Sequence, residues 1–187
     1  STLIFLPLVS SLFIFLSKDQ KNNNGAIYIS LFASIATFIV SLFLLYSLDL
    51  NSSEFQFVEE KAWINNSIKF KLGVDGISIL FIILTTFITP ICIISCINSV
   101  KDRVREFLIA ILILETFMIG VFCSLDLVIF YLFFEAGLIP MFLIIGVWGG
   151  PKRVYSAFKF FLYTLLGSVL MLVAIIVIYW LTGTTDV

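Results

Sequence analysis

Glu135 is the residue whose type and position most clearly indicate chemistry in this sequence. Apart from Tyr131, it is the only ionisable residue in the apolar run 127–148. A helix of this length extends about 33 Å, enough to cross the hydrocarbon core of a bilayer. A carboxylate at that depth is costly and by default marks a path for protons or ions. We therefore predict that Glu135 takes part in proton translocation. The alternative is a protonated acid that only hydrogen-bonds to a neighbouring helix.

Pro140 follows Glu135 by five residues. Proline lacks a backbone N–H and tends to kink or break a helix. Loosened backbone near an acid can line a polar cavity where protein surrounds it. We therefore predict a helix break at Pro140 that supports the role of Glu135.

Glu115 is the second candidate for proton translocation. It lies eight residues before Cys123, and Glu135 lies eight residues after Leu127. At the rise of a helix, both carboxyls would lie about 12 Å from the same membrane face. They could share a proton or lie on one polar path. The alternative for Glu115 is a protonated acid bonded to a serine or threonine of a neighbouring helix.

Lys159 is the ionisable residue for which we expect no role in translocation. It lies three residues after Ser156, near the opposite face. Glu135 would lie roughly 20 Å from that face, too far for a direct pair. We interpret Lys159 as a snorkelling side chain whose ammonium reaches the interface.

The elements that position these residues belong to an all-α integral membrane protein. Of 187 residues, 61% are hydrophobic and 12% are charged, about half the charged fraction of a soluble domain. We predict a single membrane domain, residues 1–187, with six transmembrane helices, the first of them short for a span. Their approximate ranges are 2–17, 26–48, 75–98, 107–123, 127–148 and 156–181.

Two further patterns refine this arrangement. The second run carries small polar residues at helical spacing, which let another helix approach closely: Ser30, Ser34, Thr37 and Ser41. In the polar segment 49–74, Ile68, Phe70 and Leu72 alternate with polar residues. This period of two predicts a hairpin or strand-like loop on the outer membrane face.

Several kinds of site are not expected. The chain has no histidine and three cysteines, all within apolar runs. An iron–sulfur cluster usually takes four thiolates, and a histidine axial ligand for haem is missing. Cys92 and Cys96 share a helix face but are interpreted as packing residues. We expect no catalytic residue, metal or redox cofactor in this chain. A net charge of −1 with scattered basic residues gives no reason to expect a nucleic acid partner.

Basic residues predict the orientation. Eight of the eleven lysines and arginines fall in or beside the first, third and fifth loops: Lys18, Lys21, Lys101, Arg103, Arg105, Lys152, Arg153 and Lys159. The positive-inside rule places these loops in the cytoplasm or matrix and both termini on the outer side.

Four segments resemble NADH dehydrogenase subunit 4, an antiporter-like membrane subunit of respiratory complex I: KLGVDGIS at 71–78, YLFFEAGLIP at 131–140, GVWG at 146–149 and KFFLYTLLGS at 159–168. The similarity runs the length of the chain, and TGTTD at 182–186 resembles the mitochondrial form. The resemblance implies the mitochondrial inner membrane, with the bacterial plasma membrane as the alternative, and both termini on the intermembrane side.

The resemblance also implies a fold of about fourteen helices, of which this chain holds the N-terminal part. Glu135 matches the family's fifth-helix glutamate, which is expected to face a lysine on a broken seventh helix. Proton movement would be driven by distant quinone reduction. FMN, iron–sulfur clusters and ubiquinone would be bound by other subunits.

We therefore expect an N-terminal fragment, the product of a split gene, in the proton-pumping membrane arm of complex I. Its expected partners are the lipid bilayer and other membrane-arm subunits, including a second chain that carries the remaining helices of subunit 4. The alternatives are a subunit of an Mrp-type cation/proton antiporter and a structural remnant that moves no protons.

Overall fold

The computed structural model describes residues 1–16, 23–49, 54–63 and 65–186, without the side chains of residues 23, 62–69 and 98. Within these ranges the chain forms six helices and two strands: α1 Thr2–Leu16, α2 Asn23–Tyr46, β1 Gln56–Trp63, β2 Asn65–Val74, α3 Ser78–Ser99, α4 Val104–Cys123, α5 Leu127–Trp148 and α6 Arg153–Thr182. The strands pair antiparallel as a hairpin, with Gln56 opposite Val74. The strand-like segment predicted between the second and third helices is therefore present; the side chain of Ile68 lies outside the described residues.

Five helices, α2 to α6, are long and apolar enough to cross a membrane. The chain is thus a helical, multi-pass membrane protein, as predicted. The first helix has only 15 residues, about 22 Å of helix. Among the described residues, length and composition therefore support five spans, and the six predicted are not confirmed.

One end of the bundle, called here the hairpin end, is tied together by hydrogen bonds between distant parts of the chain. The amide of Leu125 donates to the carbonyl of Lys71 at 3.0 Å, and that of Leu127 donates to Thr185 at 2.9 Å. The Lys71 ammonium pairs with Asp186 at 2.6 Å. These bonds join the hairpin, the α4–α5 turn and the segment after α6.

The opposite end, called here the basic end, gathers the α3–α4 and α5–α6 loops. Trp148 donates from Nε1 to the carbonyl of Asp102 at 2.9 Å, and its ring meets that of Phe107 edge-on at 5.2 Å. The described basic residues of these loops are Lys101, Arg103, Arg105, Lys152 and Arg153. Lys18 and Lys21, which were counted toward the orientation, lie outside the described residues.

The short helix α1 runs between these two ends. Leu3 and Ile4 belong to the apolar core beneath the hairpin, whereas Ile14 packs in a second core with Val104 and Leu108. At the basic end, Arg105 donates from Nη2 to the carbonyls of Ile14 and Phe15. The helix start expected at 107 therefore lies earlier, at Val104, which places Arg105 in the first turn of α4, where it binds the last turn of α1.

The polar stripe of α2 lies between the helices, as its spacing predicted. Ser30, Ser34, Thr37 and Ser41 are all fully buried. Ser41 and Thr86 of α3 share a hydrogen bond of 2.9 Å. Small side chains at these positions let α2 approach α3 and α4 closely.

Asp126 provides a test of the hairpin end. Its Oδ1 accepts from the amides of Val128 and Ile129 at the start of α5, and its Oδ2 accepts from the Thr185 hydroxyl at 2.6 Å. We predict that Asp126→Ala exposes this turn, since loss of an N-cap costs about 1 kcal/mol and speeds local opening about fivefold. Hydrogen exchange of the Leu127 and Val128 amides measures the change.

The matched control is Asp102→Ala, which removes an exposed carboxylate at the basic end. It should leave exchange at the start of α5 unchanged. Equal exchange in Asp126→Ala and the unaltered chain would show that Asp126 does not hold the turn.

Candidate functional site

Glu115 lies near the middle of α4, and its side chain is 2% exposed. The hydroxyl of Thr37, from the stripe of α2, contacts its Oε1 at 3.1 Å. Its Oε2 has no hydrogen-bond partner among the described residues. The structure thus shows the alternative arrangement for Glu115, an acid bonded to a threonine of a neighbouring helix. The second carboxyl oxygen takes no part in that hydrogen bond.

Glu135 lies on α5 and is half-buried. It lines a cavity of 420 Å³ between α5 and α6, bounded by Val128, Tyr131, Leu132, Ala136, Ile139 and Phe161. Its Oε2 is likewise buried without a partner among the described residues. The walls given by this chain are apolar or aromatic, and they include no lysine or arginine.

The two carboxyls line different cavities. Glu115 lines a cleft of 580 Å³ to which α5 contributes Met141 and Ile144. At 3.6 residues per turn, Met141 and Ile144 lie about 120° and 180° around α5 from Glu135. The structure therefore does not place Glu115 and Glu135 where they could share a proton. The sequence predicts that the two carboxyls lie at equal depth in the membrane, but it does not predict how each helix is rotated about its own axis.

Pro140 does not divide α5, which continues from Leu127 to Trp148 with this residue inside it. The helix is therefore not interrupted at Pro140, and a kink there stays a prediction. Proline removes a single backbone donor. The rest of the helix is held by packing between α4 and α6, and Pro140 itself is buried.

Lys159 is exposed on the second turn of α6. Its ammonium lies 6.0 Å from the ring centroid of Tyr155, one turn nearer the basic end. This cation–π geometry agrees with a side chain extended toward the interface. Lys159 is not among the residues that line the cavity of Glu135, and its snorkelling role stays a prediction.

The cysteines were interpreted as packing residues, but the structure adds a second feature. Cys92 is exposed and Cys96 is buried, and both line the cleft that contains Glu115. Helical spacing with Thr85, Thr89 and Ser99 gives α3 a polar stripe similar to that of α2. This spacing is visible in the sequence, as it is in α2, and could have predicted the stripe. Among the described residues, no group of three or more His, Cys, Asp and Glu side chains could hold a metal ion.

Comparison with known proteins defines the family. Residues 2–121 match the model described as NADH-ubiquinone oxidoreductase chain 4, amino terminus. Residues 124–187 match that described as NADH:quinone oxidoreductase/Mrp antiporter, TM. The chain belongs to the NADH-ubiquinone oxidoreductase chain 4 family, as its motifs predicted.

Relatives in bacteria and plants support this assignment. The chain is 54% identical over 190 residues to NADH-quinone oxidoreductase subunit M of Rhodobacter capsulatus, and it covers 37% of that protein. It is 50% identical to NADH-ubiquinone oxidoreductase chain 4 of Marchantia polymorpha and covers 38% of it. In both cases 100% of this chain is aligned. The chain thus spans less than two-fifths of the length of these relatives.

Solved structures show the same fold. A chain of respiratory complex I from Thermus thermophilus superposes with a TM-score of 0.84 at 25% identity, over 99% of this chain and 37% of that one. An archaeal membrane-bound sulfane sulfur reductase gives a TM-score of 0.79 at 20% identity, over 98% of this chain and 28% of that one. The similarity to the sulfane sulfur reductase concerns the fold alone.

Thr37 gives a test of the site around Glu115. We predict that Thr37→Val lowers the stability of the bundle, because a buried polar atom that loses its partner costs about 1–3 kcal/mol. The measurement is the thermal unfolding midpoint of the purified assembly in detergent. Thr37→Ser, which keeps a hydroxyl, is the control and should lose less. If Thr37→Val is as stable as the unaltered protein, the Thr37–Glu115 contact contributes nothing.

Proposed function

We propose that this chain forms the N-terminal part of a proton-translocating membrane-arm subunit of respiratory complex I, NADH:ubiquinone oxidoreductase, in which Glu135 binds the proton. The observation that carries this proposal is a carboxyl within a membrane-spanning helix, with a buried and unpartnered oxygen, beside an apolar cavity. Family membership and the names of the relatives support it. The subunit has no redox role of its own in this proposal; FMN, iron–sulfur clusters and ubiquinone are held by other subunits.

The chemistry proposed for Glu135 is reversible protonation. An apolar environment favours a neutral carboxylic acid in general, and a nearby cation favours the carboxylate. Because this chain places no lysine or arginine on the described walls of the cavity, the cation would come from another part of the subunit. Its approach would release the proton from Glu135, and its withdrawal would let the carboxylate take up another.

We expect Glu135→Gln to abolish or strongly reduce proton pumping while the complex still assembles. Glutamine keeps the size of the side chain and removes its titration. The measurement is the number of protons translocated per NADH oxidised in sealed vesicles. Unchanged stoichiometry would overturn the role of Glu135. Glu115→Gln should have a smaller effect, and a larger one would reverse the order of the two carboxyls.

The control is Glu106→Gln, the same chemical change at an exposed position. Glu106 lies on the first turn of α4, 3.7 Å from the guanidinium of Arg103. An exposed ion pair of this kind contributes little to stability. Proton pumping by Glu106→Gln should therefore equal that of the unaltered protein.

We propose that the remaining helices of the subunit cover the face that α5 and α6 leave exposed. Few residues of α6 are buried: Ala157, Ser168 and Ile175. Large apolar side chains of α6 such as Leu170 and Trp180 are exposed. The covering helices should place a lysine within a few ångströms of Glu135 or one water away. Helices in lipid associate by close packing of their side chains.

A density map of the intact assembly, with mass spectrometry of its hydrophobic chains, tests this arrangement. Helices packed on this face, with a lysine near Glu135, would support the proposal. Lipid alone on α5 and α6 would contradict it.

A subunit of an Mrp-type antiporter is the second candidate, since the family model that matches residues 124–187 includes such proteins. A complex I subunit should co-purify with flavin and iron–sulfur subunits, and an antiporter subunit should not. A purely structural remnant would tolerate Glu135→Gln without loss of pumping.

The proposed location is the mitochondrial inner membrane, with the bacterial plasma membrane as the alternative. The clustering of Lys101, Arg103, Arg105, Lys152 and Arg153 at one end supports a basic end that faces the matrix or cytoplasm. Both termini would then lie on the outer side with the hairpin.

A further inference from the structure

The cleft that contains Glu115 is lined mainly by apolar side chains, but one of its helices contributes a stripe of small polar residues. It occupies 580 Å³ between α3, α4 and α5. One face of α3 lines it with small polar side chains: Thr85, Thr89, Cys92, Ser95, Cys96 and Ser99. Residues three and four apart share a helix face, so this stripe continues from the level of Glu115 to the last turn of α3.

The cleft joins a second one at the basic end. Ser99 and Val100 line both the 580 Å³ cleft and a neighbouring cleft of 880 Å³. The second cleft is bounded by loop residues at the basic end, among them Lys101, Asp102 and Arg153. A continuous cleft with a stripe of small polar side chains thus leads from the charged surface along α3 toward the middle of α4.

Glu115 lies at the inner end of that route with one oxygen unsatisfied. Its Oε1 is bonded to Thr37, whereas its Oε2 is buried and has no partner among the described residues. A buried polar atom without a partner is costly. The cleft is far larger than the roughly 15 Å³ that one water needs, and water is favoured where polar partners are present.

The hydroxyls of the stripe are suited to water. Thr85 donates to the carbonyl of Phe81 at 2.8 Å, Thr89 to that of Thr85 at 2.9 Å, and Ser99 to that of Ser95 at 3.1 Å. The protons of Thr85 and Ser99 are therefore engaged within α3, and their lone pairs remain to accept hydrogen bonds from water. The Thr89 hydroxyl lies beside the carboxyl of Glu115.

We propose that Glu115 is a second proton-binding site, served by water that enters from the basic end along the polar stripe of α3 and separate from the cavity of Glu135. That the proton bound by Glu115 is used in translocation rests on the proposed function. In uptake, a hydronium ion transfers H⁺ to the carboxylate, which leaves a neutral acid and a water molecule; release is the reverse. The described residues around Glu115 include no lysine, arginine or second carboxylate; among them are Thr37 of α2, Thr89 and Cys92 of α3, and Met141 of α5.

The native cysteines test whether the cleft holds water. A charged, water-soluble methanethiosulfonate reacts with thiolates, and a thiol in a dry apolar site stays protonated and inert. Cys92 in the cleft should be modified about tenfold faster or more than Cys123, which is buried in the core at the hairpin end. Modification should occur only when the reagent is on the side of the basic end. The assay uses the intact complex in oriented vesicles, with the sites read by peptide mass spectrometry. Equal labelling of the two cysteines, or none, would overturn the water route.

A second measurement follows the proton on Glu115. The infrared carboxyl band that is lost in Glu115→Gln should shift promptly when the complex is transferred to D₂O. Cys92→Phe should obstruct the route and slow this exchange about tenfold or more, since water must reach the acid for its proton to exchange. The matched control is Ile94→Phe, on an exposed face of the same helix, which should leave exchange unchanged. A Glu115 band that does not exchange in the unaltered complex, or exchange that Cys92→Phe leaves unchanged, would contradict the proposal.

The two proposals fail in different ways. If Glu135→Gln pumps normally while Cys92 is labelled and the Glu115 proton exchanges, the proposed function is wrong and the hydrated site stands. If Glu135→Gln stops pumping but the Glu115 proton does not exchange, only the second site is wrong.

Discussion

A polar group inside a bilayer must find its partner within the protein, because hydrocarbon offers no hydrogen bonds. This constraint determines how the bundle treats its many serines and threonines. Ser30, Ser34 and Ser41 each donate to a carbonyl one turn earlier on α2, and Thr86 does the same on α3. Each helix can therefore bury hydroxyls against another at little cost. The described side-chain atoms that escape this rule are one oxygen of Glu115 and one of Glu135. They are the positions where another group, water or a proton is needed.

Helix α5 lies between the cavity of Glu115 and that of Glu135 and contributes residues to both. One face of this helix contributes Met141 and Ile144 to the cleft of Glu115, and the other carries Glu135 toward α6. A movement of α5 would therefore alter both cavities, although the acids do not meet. The N-cap at Asp126 fixes the end of α5 that lies next to the hairpin and the residues after α6. At the basic end, the last turn of α5 is held to the α3–α4 loop through Trp148, so both ends of the helix are tied to neighbouring segments.

Much of this arrangement could be predicted because membrane-spanning sequences are constrained by length and polarity. Glu115 and Glu135 were recognisable because an ionisable residue in a long apolar run is costly wherever it faces. Their separation was not predictable, since the rotation of each helix depends on how neighbouring side chains pack. Proline predicted a break in α5 from local chemistry alone, and packing on two sides kept that helix continuous. The stripe of α3 was overlooked because its polar members include cysteines, which were considered only as packing residues.

The contact of Arg105 with α1 has a consequence for how the bundle is assembled. Arg105 lies in the first turn of α4 and donates to the carbonyls of Ile14 and Phe15 on α1. Helices α2 and α3 lie between these two partners in the sequence. The contact therefore forms only after both intervening helices and the start of α4 have been synthesised, and α1 has to stay beside the growing bundle until then.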